Sequence, residues 1–161
     1  MPGTFDVLAE GGSVSVGPYL LTFEIARGSM GIVYLGYEAR RDRLVALKFL
    51  KSELCTDPRI VELFHREAGA TAELHHPNIV TIFDQGHFHG RPFFVMELIE
   101  GESLADVARQ GPLSPLRGVE LLLQATAGLA AAWEQGRVHR DIKPENLMLR
   151  GQNELKITDF G

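Results

Sequence analysis

Cysteine is almost missing from this chain. Cys55 is the single thiol among 161 residues, so neither a disulfide framework nor a cysteine zinc site can be assembled within it. A strongly basic run is missing too. Lys and Arg total 16 against 21 Asp and Glu, for a formal net charge of −5. That balance removes the phosphate footprint on which nucleic-acid binding depends. The small cluster of Arg40, Arg41 and Arg43 has Asp42 inside it and reads as a solvated hairpin turn. No apolar run reaches bilayer length: the longest, Leu121 to Trp133, is too short and contains Gln124 and Thr126. The opening MPGTFDVLAEGGSVSVG lacks the basic start and apolar core of a secretory signal. Six histidines (His65, His75, His76, His87, His89 and His139) show no His-Glu-x-x-His spacing, so no zinc site is expected. Together these absences predict a cytoplasmic chain with no membrane segment within residues 1–161 and no nucleic-acid partner. An anchor C-terminal to those residues is left open.

What is present is ordinary in amount and unusual in arrangement. Hydrophobic residues make up 45% and charged residues 23%, near the averages for a globular protein, and the length suits about one domain. Residues 1–18 are small, polar and glycine-rich, and are expected to form a loose leader. Three strand-like runs follow, Tyr19–Ile25, Ile32–Tyr37 and Leu44–Leu50, separated by turn residues. In CTDPRIVELFHREAGATAELHH, Thr56 or Asp57 can cap a helix and Pro58 suits its first turn. Leu63, Phe64, Ala68 and Leu74 then recur at helical spacing. HHPNIVTIFDQG and RPFFVMELIEG read as two more strands around a turn at Gly90. The expectation is an α+β chain with a five-stranded antiparallel sheet and one long helix. After Gly101 the character changes. Residues 103–110 and 114–135 read as helices, and a short hairpin runs out through LML and back through LKIT. The boundary therefore falls between residues 19–100 and 101–161.

Four pieces carry possible chemistry, each with an ordinary structural reading beside it. IARGSMGIV puts Gly28 and Gly31 between two strands. Glycines tolerate positive φ and let backbone N–H groups approach a phosphate, but most such turns are only turns. Lys48 lies mid-strand in VALKFL, so it needs an anion or must snorkel to water. Glu67 has Leu63, Phe64, Ala70 and Thr71 as helical neighbours, which puts a carboxylate on the face that should pack. It needs a cation, and Lys48 is the natural candidate; the alternative is a plain ion pair tying helix to sheet. In VHRDIKPENLML, Asp141, Lys143 and Asn146 crowd one loop, and the following hairpin returns Asp159 near Asn146. A carboxylate beside an amide oxygen suits magnesium with phosphate oxygens. An Asx-rich turn network is the alternative.

The ordered set ARGSMGIV, VALK, REA, HPNIV, VMELIEG, HRDIKPEN and DFG resembles the eukaryotic-type protein kinase family, in its serine/threonine branch and its bacterial style. The resemblance runs from about Tyr19 to Gly161. It implies a protein-kinase-like fold, with an N-lobe and hinge over 19–100 and the first part of a helical C-lobe over 101–161. It implies ATP and Mg²⁺ as cofactors and a protein carrying Ser/Thr as substrate. Gly28 and Gly31 would cover the phosphates, while Lys48, placed by Glu67, would hold the α- and β-phosphates. Met96 would be the gatekeeper, and the backbones of Glu97 and Ile99 would bond the adenine edge. Ile25, Val33, Ala46 and Met148 would sandwich the ring. Asp141 would orient or deprotonate the hydroxyl, Lys143 would steady the γ-phosphate, and Asn146 and Asp159 would bind magnesium. His139, Phe160, Thr71 and Ile82 match a packing stack.

Two departures stand out. Ala26 occupies a position where the family usually has glycine. The residues also stop at Gly161, before the family's activation segment, so the kinase domain is expected to be incomplete. The expected function is ATP-dependent phosphorylation of protein serine or threonine. The alternative is a truncated, non-catalytic nucleotide-binding or interaction module. A small-molecule kinase is disfavoured by Lys143 and by the DFG form.

Overall fold

The computed structural model describes residues 11–160. The leader expected over residues 1–18 therefore lies partly outside the described residues, as does the final glycine of the DFG stretch. The chain divides into two compact units. One comprises the residues up to Arg66 together with Ile82–Leu98; the other comprises Glu67–Thr81 and the residues from Ile99 onward.

The first unit is an antiparallel sheet of six strands: β1 (Val14–Val16), β2 (Tyr19–Arg27), β3 (Gly31–Glu38), β4 (Arg43–Leu50), β5 (Ile82–Phe88) and β6 (Arg91–Glu97), in the order β1-β2-β3-β4-β6-β5. This corrects the expected count of five. The extra strand, β1, falls in the supposed leader, where Val14 pairs with Leu21 and Val16 with Tyr19. Val16 is buried while Ser15 between the two valines faces solvent. Three residues are too few for an alternation to stand out in sequence, and the burial comes from the partner strand.

Strand periodicity decides which face is core. Val45, Leu47 and Phe49 of β4 are fully buried and pack with Ile32 and Tyr34 of β3 and Phe93 and Val95 of β6. Phe49 stacks on Phe93 at 5.0 Å and meets Tyr34 edge-on at 5.8 Å. Each such side chain removed from water contributes roughly 1.5–3 kcal/mol. The even-numbered residues of β4 stand on the opposite face. The arginine cluster is more than a solvated turn, because Arg41 and Arg43 both bind the buried carboxylate of Glu38.

The long helix α1 spans Pro58–Ala72. Asp57 caps it, its Oδ1 accepting from the N–H of Arg59 at 2.9 Å. Phe64 and Ala68 are buried as expected, whereas Leu63 is 38% exposed. The helix passes from the first unit to the second between Arg66 and Glu67.

The second unit holds β7 (Gly101–Ser103), α2 (Leu104–Gln110), α3 (Pro115–Glu134), β8 (Leu147–Arg150) and β9 (Glu154–Ile157). The three strands form an antiparallel sheet in the order β7-β8-β9. Ser103 and Asp106 form a capping box at the start of α2, and Ser114 caps α3 ahead of Pro115. Leu121, Ala125 and Ala132 of α3 pack with Leu74, Ile79, Leu147, Leu149, Leu155 and Ile157. Gly128 is a required glycine there, since a Cβ would come within 2.9 Å of Ile157 Cδ1 and 3.2 Å of the Asn78 carbonyl oxygen. Among the described residues, no helix is long and apolar enough to cross a membrane.

Candidate active site

In the first unit, cross-strand register gathers four of the expected residues. Lys48 stands opposite Val33 on one side and Phe94 on the other; Ala46 stands opposite Leu35 and Met96. Directly opposed residues share a face, so Val33, Ala46, Lys48 and Met96 lie together on the sheet face opposite the core. Glu97 ends β6 opposite Val45. The Lys48 ammonium sits 5.5 Å from the centre of the Phe94 ring, within cation–π range. Phe94 was not singled out from the sequence, because only the β4–β6 register reveals it.

Ile25 is the residue skipped where the β2–β3 register shifts between Glu24 and Ala26. A bulge of this kind re-aims a side chain, and Ile25 is 41% exposed. The glycine turn works differently from the expectation of positive φ. Neither Gly28 nor Gly31 adopts it. The Gly28 N–H closes the turn on the Gly31 carbonyl at 2.9 Å. What Gly31 requires is space: a Cβ there would come within 3.0 Å of the Phe49 carbonyl oxygen and 3.2 and 3.3 Å of Lys48 Cγ and Cε. Its bareness lets the Lys48 stem lie against the strand.

In the second unit the loop 139–146 is organised by buried His139. The Asp141 N–H donates to Nδ1 at 3.2 Å, and Nε2 lies 2.8 Å from the Thr158 carbonyl. Because a backbone N–H can only donate and a carbonyl only accept, the ring carries its proton on Nε2. The ring also packs on Phe160 at 4.6 Å.

Lys143 Nζ lies 2.6 Å from Asp141 Oδ2. The buried Asn146 donates its side-chain N–H groups to the Asp141 carbonyl at 2.8 Å and to Asp141 Oδ2 at 3.1 Å. The Thr158 N–H and hydroxyl both donate to the Asn146 carbonyl, at 2.9 and 3.2 Å. Asp159 is the next residue. Lys143, followed by Asn146, holds the Asp141 carboxyl below its ordinary range, and Asp141 in turn raises Lys143. Arg140 (φ +68°) and Asp159 (φ +58°), on the two segments that His139 joins, both adopt left-handed backbone. Thr158 is the residue sequence reading missed. It joins His139 and Asn146 chiefly through its backbone N–H and carbonyl, which leave no side-chain signature.

Glu67 belongs to the second unit, half-buried, its carbonyl accepting from the hydroxyl of buried Thr71 at 3.0 Å. Met148 pairs with Lys156 and Ser103, on the opposite face of β8 from buried Leu147 and Leu149. Ile99 follows β6 outside any strand. The structure thus brings Asp141, Lys143 and Asn146 into contact with Asp159 alongside. It separately gathers Val33, Ala46, Lys48 and Met96.

The sequence signature described as Protein kinase domain matches residues 19–161. The chain belongs to the protein kinase family. Its relatives place it in the bacterial, eukaryotic-type serine/threonine branch. It is 42% identical over 144 residues to the serine/threonine-protein kinase PknL of Mycobacterium tuberculosis, an alignment covering 89% of this chain and 36% of that one. It is 38% identical over 152 residues to the probable serine/threonine-protein kinase PknB of Lactococcus lactis, covering 93% of this chain and 24% of that one. Among solved structures, the kinase domain of Mycobacterium tuberculosis PknI superposes with a TM-score of 0.76 at 28% identity, covering 91% of this chain and 61% of that one. The chain therefore spans roughly a third or less of the length of these curated relatives, and has the protein kinase fold over the part they share.

Proposed function

We propose that this chain forms the nucleotide-binding and catalytic-loop portion of a protein kinase that transfers the γ-phosphoryl group of ATP, with Mg²⁺, to serine or threonine hydroxyls of proteins in the cytoplasm. The observation that supports it most is the network of Asp141, Lys143, Asn146 and Thr158 beside Asp159.

The donor set fits magnesium. The Asn146 N–H groups are engaged by Asp141, which leaves Oδ1 for a hard cation together with the Asp159 carboxylate. Bound there, magnesium would supply charge neutralisation for the phosphates of ATP. Lys48 would neutralise the α- and β-phosphates, with Glu67 orienting it. Gly28 and Gly31 would form the turn over the phosphates. Ile25, Val33, Ala46 and Met148 would flank the adenine, Met96 would limit its pocket, and the backbones of Glu97 and Ile99 would bond its edge.

Asp141 keeps its charge well into acid because Lys143 holds it. A carboxylate with a depressed pKa is a weak base, so its task here is to orient the substrate hydroxyl as an acceptor and to take the proton late. Lys143, its side chain about half exposed, would steady the γ-phosphate in transit. Positioning and preorganised charge would then supply most of the rate.

The deciding experiment measures label transfer from γ-labelled ATP to a protein substrate by the chain and by Asp141→Asn. Magnesium-dependent transfer that Asp141→Asn removes is expected. Transfer unaffected by the substitution would sink the reading. A non-catalytic nucleotide-binding module is the second reading. Magnesium-dependent nucleotide binding with no transfer would select it.

A further inference from the structure

Two of the scattered histidines meet. His65 on α1 and His87 on β5, both in the first unit, place their Nε2 atoms 3.2 Å apart. They are 22 residues apart in the chain, so no local spacing announces the pair. Two imidazole nitrogens bound to one tetrahedral zinc, at 2.0–2.1 Å each, lie about 3.3–3.4 Å from one another. The gap observed therefore needs an adjustment of only a few tenths of an ångström.

Ring orientation agrees. Imidazoles meeting end to end at the observed nitrogen separation would have centroids about 5.5 Å apart, and imidazoles sharing one tetrahedral ion about 5.2 Å. The observed centroid separation is 4.9 Å with a 44° tilt, closer to the ion-sharing value than to the end-to-end one. The two nitrogens share a hydrogen bond, and with His87 exposed and His65 half-buried an incoming ion would take the place of the proton between them. Gln85, two residues before His87 and so on the same face of β5, hydrogen-bonds His65. That contact restrains the His65 ring.

We propose that His65 and His87 form an open, two-histidine site for a divalent transition-metal ion such as Zn²⁺ or Ni²⁺, which clips α1 to β5. No third His, Cys, Asp or Glu completes a metal cluster among the described residues. Water fills the remaining positions, which makes the site reversible rather than a permanent structural centre. Imidazole ligands favour these ions over magnesium, so the site does not compete for the cation proposed at Asn146 and Asp159.

The test is calorimetric titration of Zn²⁺ and Ni²⁺ into the chain without a polyhistidine tag, with Mg²⁺ as the control. One equivalent is expected to bind, reversibly on addition of chelator, and to raise Tm by mass action. His65→Gln and His87→Gln should each weaken binding on the order of ten-fold or more, while His75→Gln and His89→Gln leave it unchanged. If His65→Gln fails to fold, His87→Gln at its exposed position decides the matter alone. Binding that survives His87→Gln, or the absence of saturable binding, overturns the proposal. None of these readouts depends on phosphotransfer.

Discussion

The carbonyl of Thr158 accepts a hydrogen bond from His139 Nε2 at 2.8 Å, while the same ring takes the Asp141 N–H at Nδ1. One buried imidazole thus joins the loop that carries Asp141 to the segment that carries Asp159. His139→Phe keeps an aromatic ring against Phe160 but strands a carbonyl and an N–H. Losing the partner of a part-buried group costs up to about 1–3 kcal/mol, and denaturant unfolding should register a loss of that order. An unchanged midpoint would mean that water or a backbone shift repairs both.

Gly31 and Gly28 should behave differently despite sharing a turn. A Cβ at Gly31 presses on the Phe49 carbonyl and the Lys48 stem, whereas a Cβ at Gly28 meets only the Gly31 carbonyl oxygen at 3.8 Å. Overpacking of the first kind costs about 1–3 kcal/mol. Gly31→Ala is expected to weaken nucleotide binding by roughly ten-fold, and Gly28→Ala to leave it nearly unchanged. Fluorescent-nucleotide titration measures both, and equal effects would contradict the close-approach account.

Lys48→Met should reduce phosphate transfer by at least about a hundred-fold, because a preorganised charge is lost. Asp159→Asn should weaken ATP binding in magnesium and leave metal-free binding little changed. Retained transfer in the first variant would remove Lys48 from the site. An unchanged magnesium dependence in the second would count against Asp159 as a ligand.

Tyr19 supplies a pH test. Burial first, then the hydrogen bond to Asp84 (3.0 Å) and its charge, push the phenol up to about 12. The unfolded chain ionises near pH 10. The stabilisation is therefore complete below pH 10 and is lost as pH rises through about 12. With Tyr34 and Tyr37 replaced by Phe, phenolate absorbance after a rapid pH jump reports Tyr19 alone. Asp84→Asn should bring the transition down without restoring the ordinary value, since burial is the larger cause. A full return to about 10 would reverse that ranking.

Locally encoded features were legible in the sequence. The helices at Leu104–Gln110 and Pro115–Glu134 fall within the stretches 103–110 and 114–135 that read as helices. The crowding of Asp141, Lys143 and Asn146 follows from their closeness in the chain. What was hidden depends on register between distant strands: the pairing of β1, the bulge at Ile25, Phe94 beneath Lys48, and the meeting of His65 with His87. Gly31 shows the same limit. Its presence is legible, but sequence points to φ where the structure shows the close approach of β4.

Asn146 stands between two acids, donating to Asp141 through its side chain and held through its carbonyl by Thr158, the neighbour of Asp159. A carboxylate at 146 would have no hydrogen to offer Asp141 and would add a third negative charge. Both changes would oppose the Asp141 carboxylate, which Lys143 now holds. The neutral amide acts as an insulator: it gives Asp141 a donor and keeps a further charge out of the join between the loop and Thr158.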